Sequence, residues 1–139
     1  MEEMEKVEEK PVRILAAVND LFFVGKITAA AKRVGVPVEF VRSEPELLQK
    51  TESLTESSSE SLPAMLLLDL NDARFDPVAL VSRLKADPLR KDVRVIGFLS
   101  HVQTDLIRAA DQAGCDLVLP RSVFSQQLDD LLRQRSCHL

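Results

Sequence analysis

The sequence lacks long apolar runs, which argues against a protein that spans a membrane. The longest uninterrupted apolar stretches of the 139-residue chain are only a few residues, whereas a helix that crosses a bilayer needs about 20. The first ten residues, MEEMEKVEEK, are acidic and have no apolar centre, so they do not read as a signal peptide. We therefore predict a cytoplasmic protein without membrane contact.

Basic clusters and cysteine motifs are missing as well. The net charge is −4, and the lysines and arginines are scattered among acids, so no basic face for nucleic acid is predicted. Cys115 and Cys137 give no disulfide framework and no CxxC pair. A four-ligand zinc site would need both cysteines together with His101 and His138, and we do not expect one.

No glycine-rich loop follows the first apolar run. The stretch VNDLFFVGK contains a single glycine and has neither the GxGxxG nor the P-loop spacing. This absence weakens the hypothesis of a nucleotide-binding protein.

The chain has the length and composition of one globular domain. We predict that residues 12–132 form this domain, between a charged N-terminal tail (1–11) and a polar C-terminal tail (133–139). Residues 51–62, which include TESLTESSSES, are rich in serine and glutamate and predict a flexible loop within it.

Five short runs rich in valine, isoleucine and leucine recur along the domain. Their centres show little alternation of apolar and polar residues, which is typical of strands covered on both faces. The runs are Val12–Val18, Val38–Val41, Met65–Leu70, Val93–Leu99 and Asp116–Leu119.

Five segments with helical signals separate and follow these runs. The signals are apolar faces of helical period, N-cap pairs and terminal glycines. They comprise the stripe of Phe23, Ile27, Ala30, Ala31 and Val34 before Gly35; the cap pairs Ser43 with Glu46, Asp76 with Pro77, and Ser100 with Gln103; the stop at Gly114; and the face of Phe124, Leu128, Leu131 and Leu132.

Alternation of strands and helices predicts an α/β protein with a parallel sheet between two layers of helices. Five βα units in a domain of this size favour the flavodoxin-like three-layer sandwich with strand order 2-1-3-4-5. Ligands of such folds bind outside the carboxyl ends of the strands. The residues predicted there are Asn19 and Asp20 after strand 1, Asp69 at the end of strand 3, Ser100 after strand 4 and Arg121 after strand 5.

These features resemble the receiver domain of two-component response regulators, a CheY-like fold. The resemblance rests on the five units, on LLLD closing strand 3, on Ser100 closing strand 4 and on AGCDLVLPRS around strand 5. It covers residues 12–132. It implies that Asp69 is the position that accepts a phosphoryl group from a histidine kinase. It also implies that Ser100 bonds that group, and that Mg²⁺ binds beside an acidic pair after strand 1.

The sequence departs from the receiver pattern at several of these positions. At least one carboxylate of the acidic pair is missing, because the pair falls either on Val18 and Asn19 or, with a shift of one position, on Asn19 and Asp20. The lysine expected after strand 5 is Arg121, the proline after it is Ser122, and the aromatic residue before it is Val118. Mg²⁺ prefers hard anionic oxygen ligands, so we expect at most a weak site formed by Asn19, Asp20 and Asp69, and no required cofactor.

Structural roles compete with functional ones at each position. Asp69 alone could bond a turn amide, Ser100 could serve only as a helix N-cap, and Arg121 could either pair with Asp69 or lie exposed. Asp72 and Asp76 are predicted as turn and cap residues.

Three functional hypotheses follow. The first is a stand-alone receiver-like signalling module, a pseudo-receiver with a degenerate acidic pocket, which is not an enzyme and acts by protein–protein contact. The second is an orthodox phosphoacceptor that a histidine kinase phosphorylates on Asp69. The third is a small flavodoxin-like enzyme or nucleotide-binding protein. For the signalling hypotheses we expect protein partners, a histidine kinase among them, and a homodimer through the fourth helix, fifth strand and fifth helix.

Overall fold

Strands and helices alternate along the chain. The structure is a computed structural model that describes residues 13–52, 63–72, 74–88, 90–100 and 103–134. The elements are β1 Arg13–Ala17, α1 Leu21–Val34, β2 Val38–Phe40, α2 Glu44–Glu52, β3 Pro63–Asp69, α3 Pro77–Ala86, β4 Arg94–Leu99, α4 Thr104–Ala113, β5 Leu117–Pro120 and α5 Arg121–Arg133.

The five strands form one parallel sheet in the order β2-β1-β3-β4-β5, which confirms the predicted flavodoxin-like topology. The register aligns the carboxyl ends of the inner strands: Ala17 is opposite Leu68, and Asp69 is opposite Phe98. Loops from β1, β3, β4 and β5 therefore meet at one edge of the sheet.

Both faces of the sheet are buried, which explains why the strand sequences do not alternate. Ile14 and Ala16 pack with α1 and α5 on one face, while Leu15 and Ala17 pack with α2, α3 and α4 on the other. Apolar residues at every position of a strand are the expected sequence of a sheet between two helical layers.

Several predicted helix ends are confirmed. Gly35 and Gly114 end α1 and α4 with φ of 85° and 111°, a left-handed conformation that favours glycine. Asp76 caps α3 ahead of Pro77. At α2, the Ser43 hydroxyl accepts from the Glu46 N–H at 3.2 Å.

The predicted cap of α4 is wrong. The helix begins at Thr104, and Gln103 is its N-cap residue without a side-chain cap bond. Ser100 instead belongs to the preceding loop, where its backbone N–H donates to Oδ1 of Asn71 at 2.7 Å. This bond holds Ser100 to the β3–α3 loop, four positions before the first helical residue.

The predicted disordered segments fall mostly outside the described residues. The tail 1–11 lies entirely outside them. Thr51 and Glu52 complete α2 rather than opening the loop. The Thr51 side chain is buried, and its hydroxyl donates to the carbonyls of Leu47 and Leu48. Arg133 likewise ends α5. Within the ranges that the structure describes, no helix has both the length and the apolar character needed to cross a membrane.

Candidate functional site

Asp69 is the last residue of β3 and is buried, with 4% of its surface exposed. Its Oδ1 accepts a hydrogen bond from the Asn71 backbone N–H at 2.9 Å. Burial raises the pKa of the Asp69 carboxyl, although the Asn71 amide and the charge of Arg121 oppose the shift. The fold therefore holds a carboxyl group whose ionisation is less favourable than in water, at the edge where open parallel α/β sheets bind their ligands.

Arg121 begins α5 and reaches over this edge toward α1. Its Nη2 donates to Oδ2 of Asp20 at 2.9 Å, and the same nitrogen lies 4.0 Å from Oδ2 of Asp69. The guanidinium carbon lies 4.9 Å from the centre of the Phe23 ring, a cation–π distance. The predicted pairing of Arg121 with Asp69 is thus the longer of two contacts, and Asp20 is the hydrogen-bond partner.

The Asp20 carboxylate has a second task at the start of α1. Its Oδ1 accepts from the Phe22 N–H at 2.8 Å, which caps the helix. Asn19 is exposed in the same loop. Of the residues predicted for this pocket, the structure brings Asp20, Asp69 and Arg121 together.

Asn71 joins two loops of the site, a role that sequence analysis did not assign. The backbone N–H of Asn71 donates a hydrogen bond to Asp69. In addition, its side-chain Oδ1 accepts from the Ser100 N–H, and its Nδ2 donates to Oε1 of Gln103 at 3.0 Å. Asn71 therefore links the carboxylate at the end of β3 to the loop between β4 and α4. The only sequence signal was a polar side chain two positions after the strand-end acid.

Asp72 is confirmed as a turn residue. Its side chain is 1% exposed and pairs with Arg74 through both carboxylate oxygens, at 3.0 and 2.7 Å, and it also accepts from the Arg74 N–H. Its negative charge contributes to the raised pKa of Asp69.

The arrangement of these side chains does not fit a divalent cation well. The described residues contain no group of three or more histidine, cysteine, aspartate or glutamate side chains placed to hold a metal. Both oxygens of Asp20 are engaged, one by the α1 N-terminus and one by Arg121. A Mg²⁺ ion at this edge would share the Asp20 carboxylate with the Arg121 guanidinium, and repulsion between the two cations would weaken its binding.

A cavity of about 640 Å³ opens beside Arg121. Its walls come from the start of α1, from Ser100 after β4, from the end of β5 and from the start of α5. The lining residues are Phe22, Phe23, Lys26, Ser100, Pro120, Arg121, Ser122 and Ser125.

No known family model matches the sequence, and no characterised protein matches it. Solved structures do match. The phosphorylated cyanobacterial phytochrome response regulator RcpA aligns with a TM-score of 0.71 and 22% identity, over 88% of this chain and 89% of its own. A two-component response regulator from Legionella pneumophila aligns with a TM-score of 0.73 and 16% identity, over 91% and 98%.

A third solved structure, the Mn²⁺-bound form of the response regulator Rcp1, has a TM-score of 0.68 and 16% identity over 87% of this chain and 91% of its own. Together these alignments show that the chain has the fold of response regulator receiver domains, as the sequence predicted.

Proposed function

We propose that this protein is a receiver-like signal-transduction module with a degenerate acidic pocket, which has no catalytic activity of its own and acts by contact with protein partners. The observation that carries the proposal is the position of Arg121, whose Nη2 lies 2.9 Å from Asp20 and 4.0 Å from Asp69. The guanidinium of Arg121, a cation that belongs to the chain itself, lies between the two carboxylates.

The guanidinium supplies the positive charge that a divalent ion would otherwise bring. Arginine stays protonated at physiological pH and directs its donors in a fixed plane. Here the Phe23 ring supports that plane from α1. The pocket is thereby partly neutralised without an exchangeable ion.

The asparagine at position 19, where an acid would be expected, also lowers the affinity of the pocket for Mg²⁺. A neutral amide is a weaker ligand for Mg²⁺ than a carboxylate, and Asn19 is exposed. The two substitutions together support weak metal binding and a pocket held in one state.

Beryllofluoride, a phosphoryl mimic, tests the proposal when it is titrated with Mg²⁺ and followed by NMR. We expect no saturable shifts at residue 69, Asn71 or Ser100 on titration, either in the wild type or in Asp69→Asn. Saturable shifts at these residues that disappear in Asp69→Asn would show a working phosphoryl site, and the degenerate pocket would be rejected.

A second candidate function, phosphorylation of Asp69 by a histidine kinase, is favoured by one observation. Oδ2 of Asp69 lies 4.0 Å from Arg121, beyond hydrogen-bond distance. That oxygen could act as a nucleophile at the edge of the sheet. Incubation with a small phosphodonor such as acetyl phosphate, followed by mass spectrometry of the intact protein, tests this candidate. A phosphoryl adduct that is absent in Asp69→Asn supports it.

A further inference from the structure

The cavity of about 640 Å³ beside Arg121 has the size of a binding site for a small molecule. Such sites typically measure about 300–1,000 Å³ and combine apolar walls with a few polar groups. Here the apolar wall comes from the rings of Phe22 and Phe23 and from Pro120, and the polar groups include Lys26 and three serines. The proposed function assigns no role to this combination.

Phe22 gives the cavity an exposed apolar surface. Its side chain is 65% exposed, whereas the adjacent Phe23 is buried. The two rings meet edge to face, with 5.5 Å between their centres, so the buried ring supports the exposed one. Aromatic rings attract other rings in offset or edge-to-face contact. The exposed ring of Phe22 is therefore suited to a ligand that carries a ring of its own.

Lys26 lies one turn after Phe22 on α1 and brings a positive charge to the same place. Its Nζ is 5.1 Å from the centre of the Phe22 ring, a cation–π distance. No carboxylate lines the cavity, and none of the described acids forms an ion pair with Lys26. The Arg121 guanidinium does not add to this charge, because Asp20 neutralises it at 2.9 Å. Lys26 is therefore the charge that the cavity offers to a ligand.

Ser122 and Ser125 supply hydroxyl groups from α5. They are three positions apart on the helix, so their side chains lie on one face, and both line the cavity. Neither hydroxyl forms a hydrogen bond with another described residue. Since a serine hydroxyl donates one hydrogen bond, each can bind an oxygen of an anion.

We propose that this cavity binds a small aromatic anion, that is, a molecule in which a ring carries a carboxylate or a phosphate group. The ring packs against Phe22, and the anionic group pairs with Lys26. The hydroxyls of Ser122 and Ser125 donate to the same group. The 5.1 Å between the Lys26 ammonium and the Phe22 ring places both contacts within the length of one such molecule. The inference goes beyond the proposed function, because this ligand binds without a covalent bond and does not use Asp69.

The lining of the cavity disfavours other small molecules. A cationic ligand would be repelled by Lys26. A neutral aromatic ligand would lack the charge-assisted hydrogen bonds, which are about twice as strong as neutral ones. Inorganic phosphate would pair with Lys26 but would leave the Phe22 ring exposed to water. The ring and the charge of the ligand are therefore both required.

Titration of the full-length protein with phenyl phosphate and with benzoate, followed by two-dimensional ¹H–¹⁵N NMR, tests the inference. We expect saturable shifts of amides at the starts of α1 and α5, and the comparison of the two probes tells whether phosphate or carboxylate is preferred. Three further probes each lack one feature of the ligand: benzyl alcohol lacks the charge, benzylamine carries the opposite charge, and inorganic phosphate lacks the ring. Each should bind at least tenfold more weakly than the preferred anion.

Two substitutions in the cavity should weaken binding. Lys26→Gln and Phe22→Ala should each raise the Kd of the preferred anion at least tenfold. Neither side chain is buried, so we expect both variants to fold. Lys32→Gln is the matched control, because it removes a lysine from the same helix outside the cavity. It should leave the Kd unchanged.

Equal affinities for inorganic phosphate and phenyl phosphate would show an adventitious ion only and would overturn the inference. Binding that Lys26→Gln leaves unchanged would also overturn it. Binding that requires Mg²⁺ and disappears in Asp69→Asn would place the anion at the phosphoryl position, which would reject both this inference and the degenerate pocket. If neither phenyl phosphate nor benzoate binds, the inference fails while the proposed function stands.

Discussion

Arg121 donates a hydrogen bond to Asp20 across 101 positions of the chain, at 2.9 Å, and so ties the start of α5 to the start of α1. The two helices also pack side by side on the same face of the sheet. A single guanidinium thus connects the loops after β1 and β5 directly above Asp69.

Removal of the guanidinium should open the pocket to divalent cations. In Arg121→Gln the carboxylates of Asp20 and Asp69 lose their shared counter-ion, so we expect the affinity for Mg²⁺ to rise about tenfold or more, equivalent to about 1.4 kcal/mol. Isothermal titration calorimetry measures the change. Arg33→Gln, which removes a guanidinium paired with Asp129 elsewhere, should leave the affinity unchanged. Equal Kd values for Arg121→Gln and the wild type would contradict the prediction.

Asp69→Asn should stabilise the protein at neutral pH. Because burial raises the pKa of Asp69 in the folded state, the folded protein holds its proton to a higher pH than the unfolded chain does. Stability of the wild type then falls as pH rises from about 3.9, the unfolded pKa. We expect the variant to gain about 1 kcal/mol at pH 7, or roughly 4 °C in Tm.

The stability advantage of Asp69→Asn should shrink as the pH is lowered. It should vanish below about pH 3.9, where the wild-type Asp69 carboxyl is protonated in both the folded and the unfolded protein. Thermal unfolding followed by circular dichroism at a series of pH values tests this. A gain in Tm that is constant with pH would show that a cause other than the charge of Asp69 is responsible.

Asn71→Ala should loosen the loop between β4 and α4. The variant loses the acceptor for the Ser100 N–H and the donor to Gln103, at a cost of about 1 kcal/mol. Hydrogen exchange of the Ser100 amide should accelerate. Gln103→Ala removes only the second bond, so that amide should stay protected in it; equal exchange rates in the two variants would argue against the link through Asn71.

Gly97→Ala should destabilise the centre of the sheet. Gly97 lies in β4, and a Cβ there would lie 3.0 Å from both Cγ and Cδ1 of Leu70. Since Leu70 is itself buried, its branch point has little room to move, and overpacking costs typically about 1–3 kcal/mol. Urea unfolding measures the loss.

Gly25→Ala should have the opposite effect and increase the free energy of unfolding. The residue is in the interior of α1, and the added methyl group meets no neighbour within 4 Å. Helix propensity then predicts a gain of about 0.5–1 kcal/mol. The same urea experiment checks it, and a loss of stability would show that the position is more crowded than the geometry indicates.

Most of the fold follows from the sequence because it depends on repeated patterns. The inner strands are apolar at most positions, and Gly35 and Gly114 end their helices by a local requirement for positive φ. The start of α4 was not predictable in this way. Ser100 and Gln103 have capping-box spacing, but the bond from Ser100 to Asn71 comes from a loop 29 positions away.

The candidate site follows from the sequence only in part. The residues at the strand ends were predictable, because parallel strands deliver them to one edge. The hydrogen bond of Arg121 to Asp20 rather than to Asp69 was not predictable, since it depends on the position of the guanidinium against the Phe23 ring. The burial of Phe23 was predictable, because it belongs to the apolar stripe of α1, and the adjacent Phe22 lies off that stripe and is exposed.

The aromatic support beneath Arg121 has a consequence for how information would pass through this molecule. Phe23 stacks on Phe98, which stacks on Phe124 at 4.2 Å between ring centres, so the cation rests on a rigid column that joins α1, β4 and α5. A counter-ion fixed in this way cannot be diluted, exchanged or hydrolysed. Under the proposed function, the output of the protein is then set by how many copies a cell makes and degrades, and not by the chemical state of each copy.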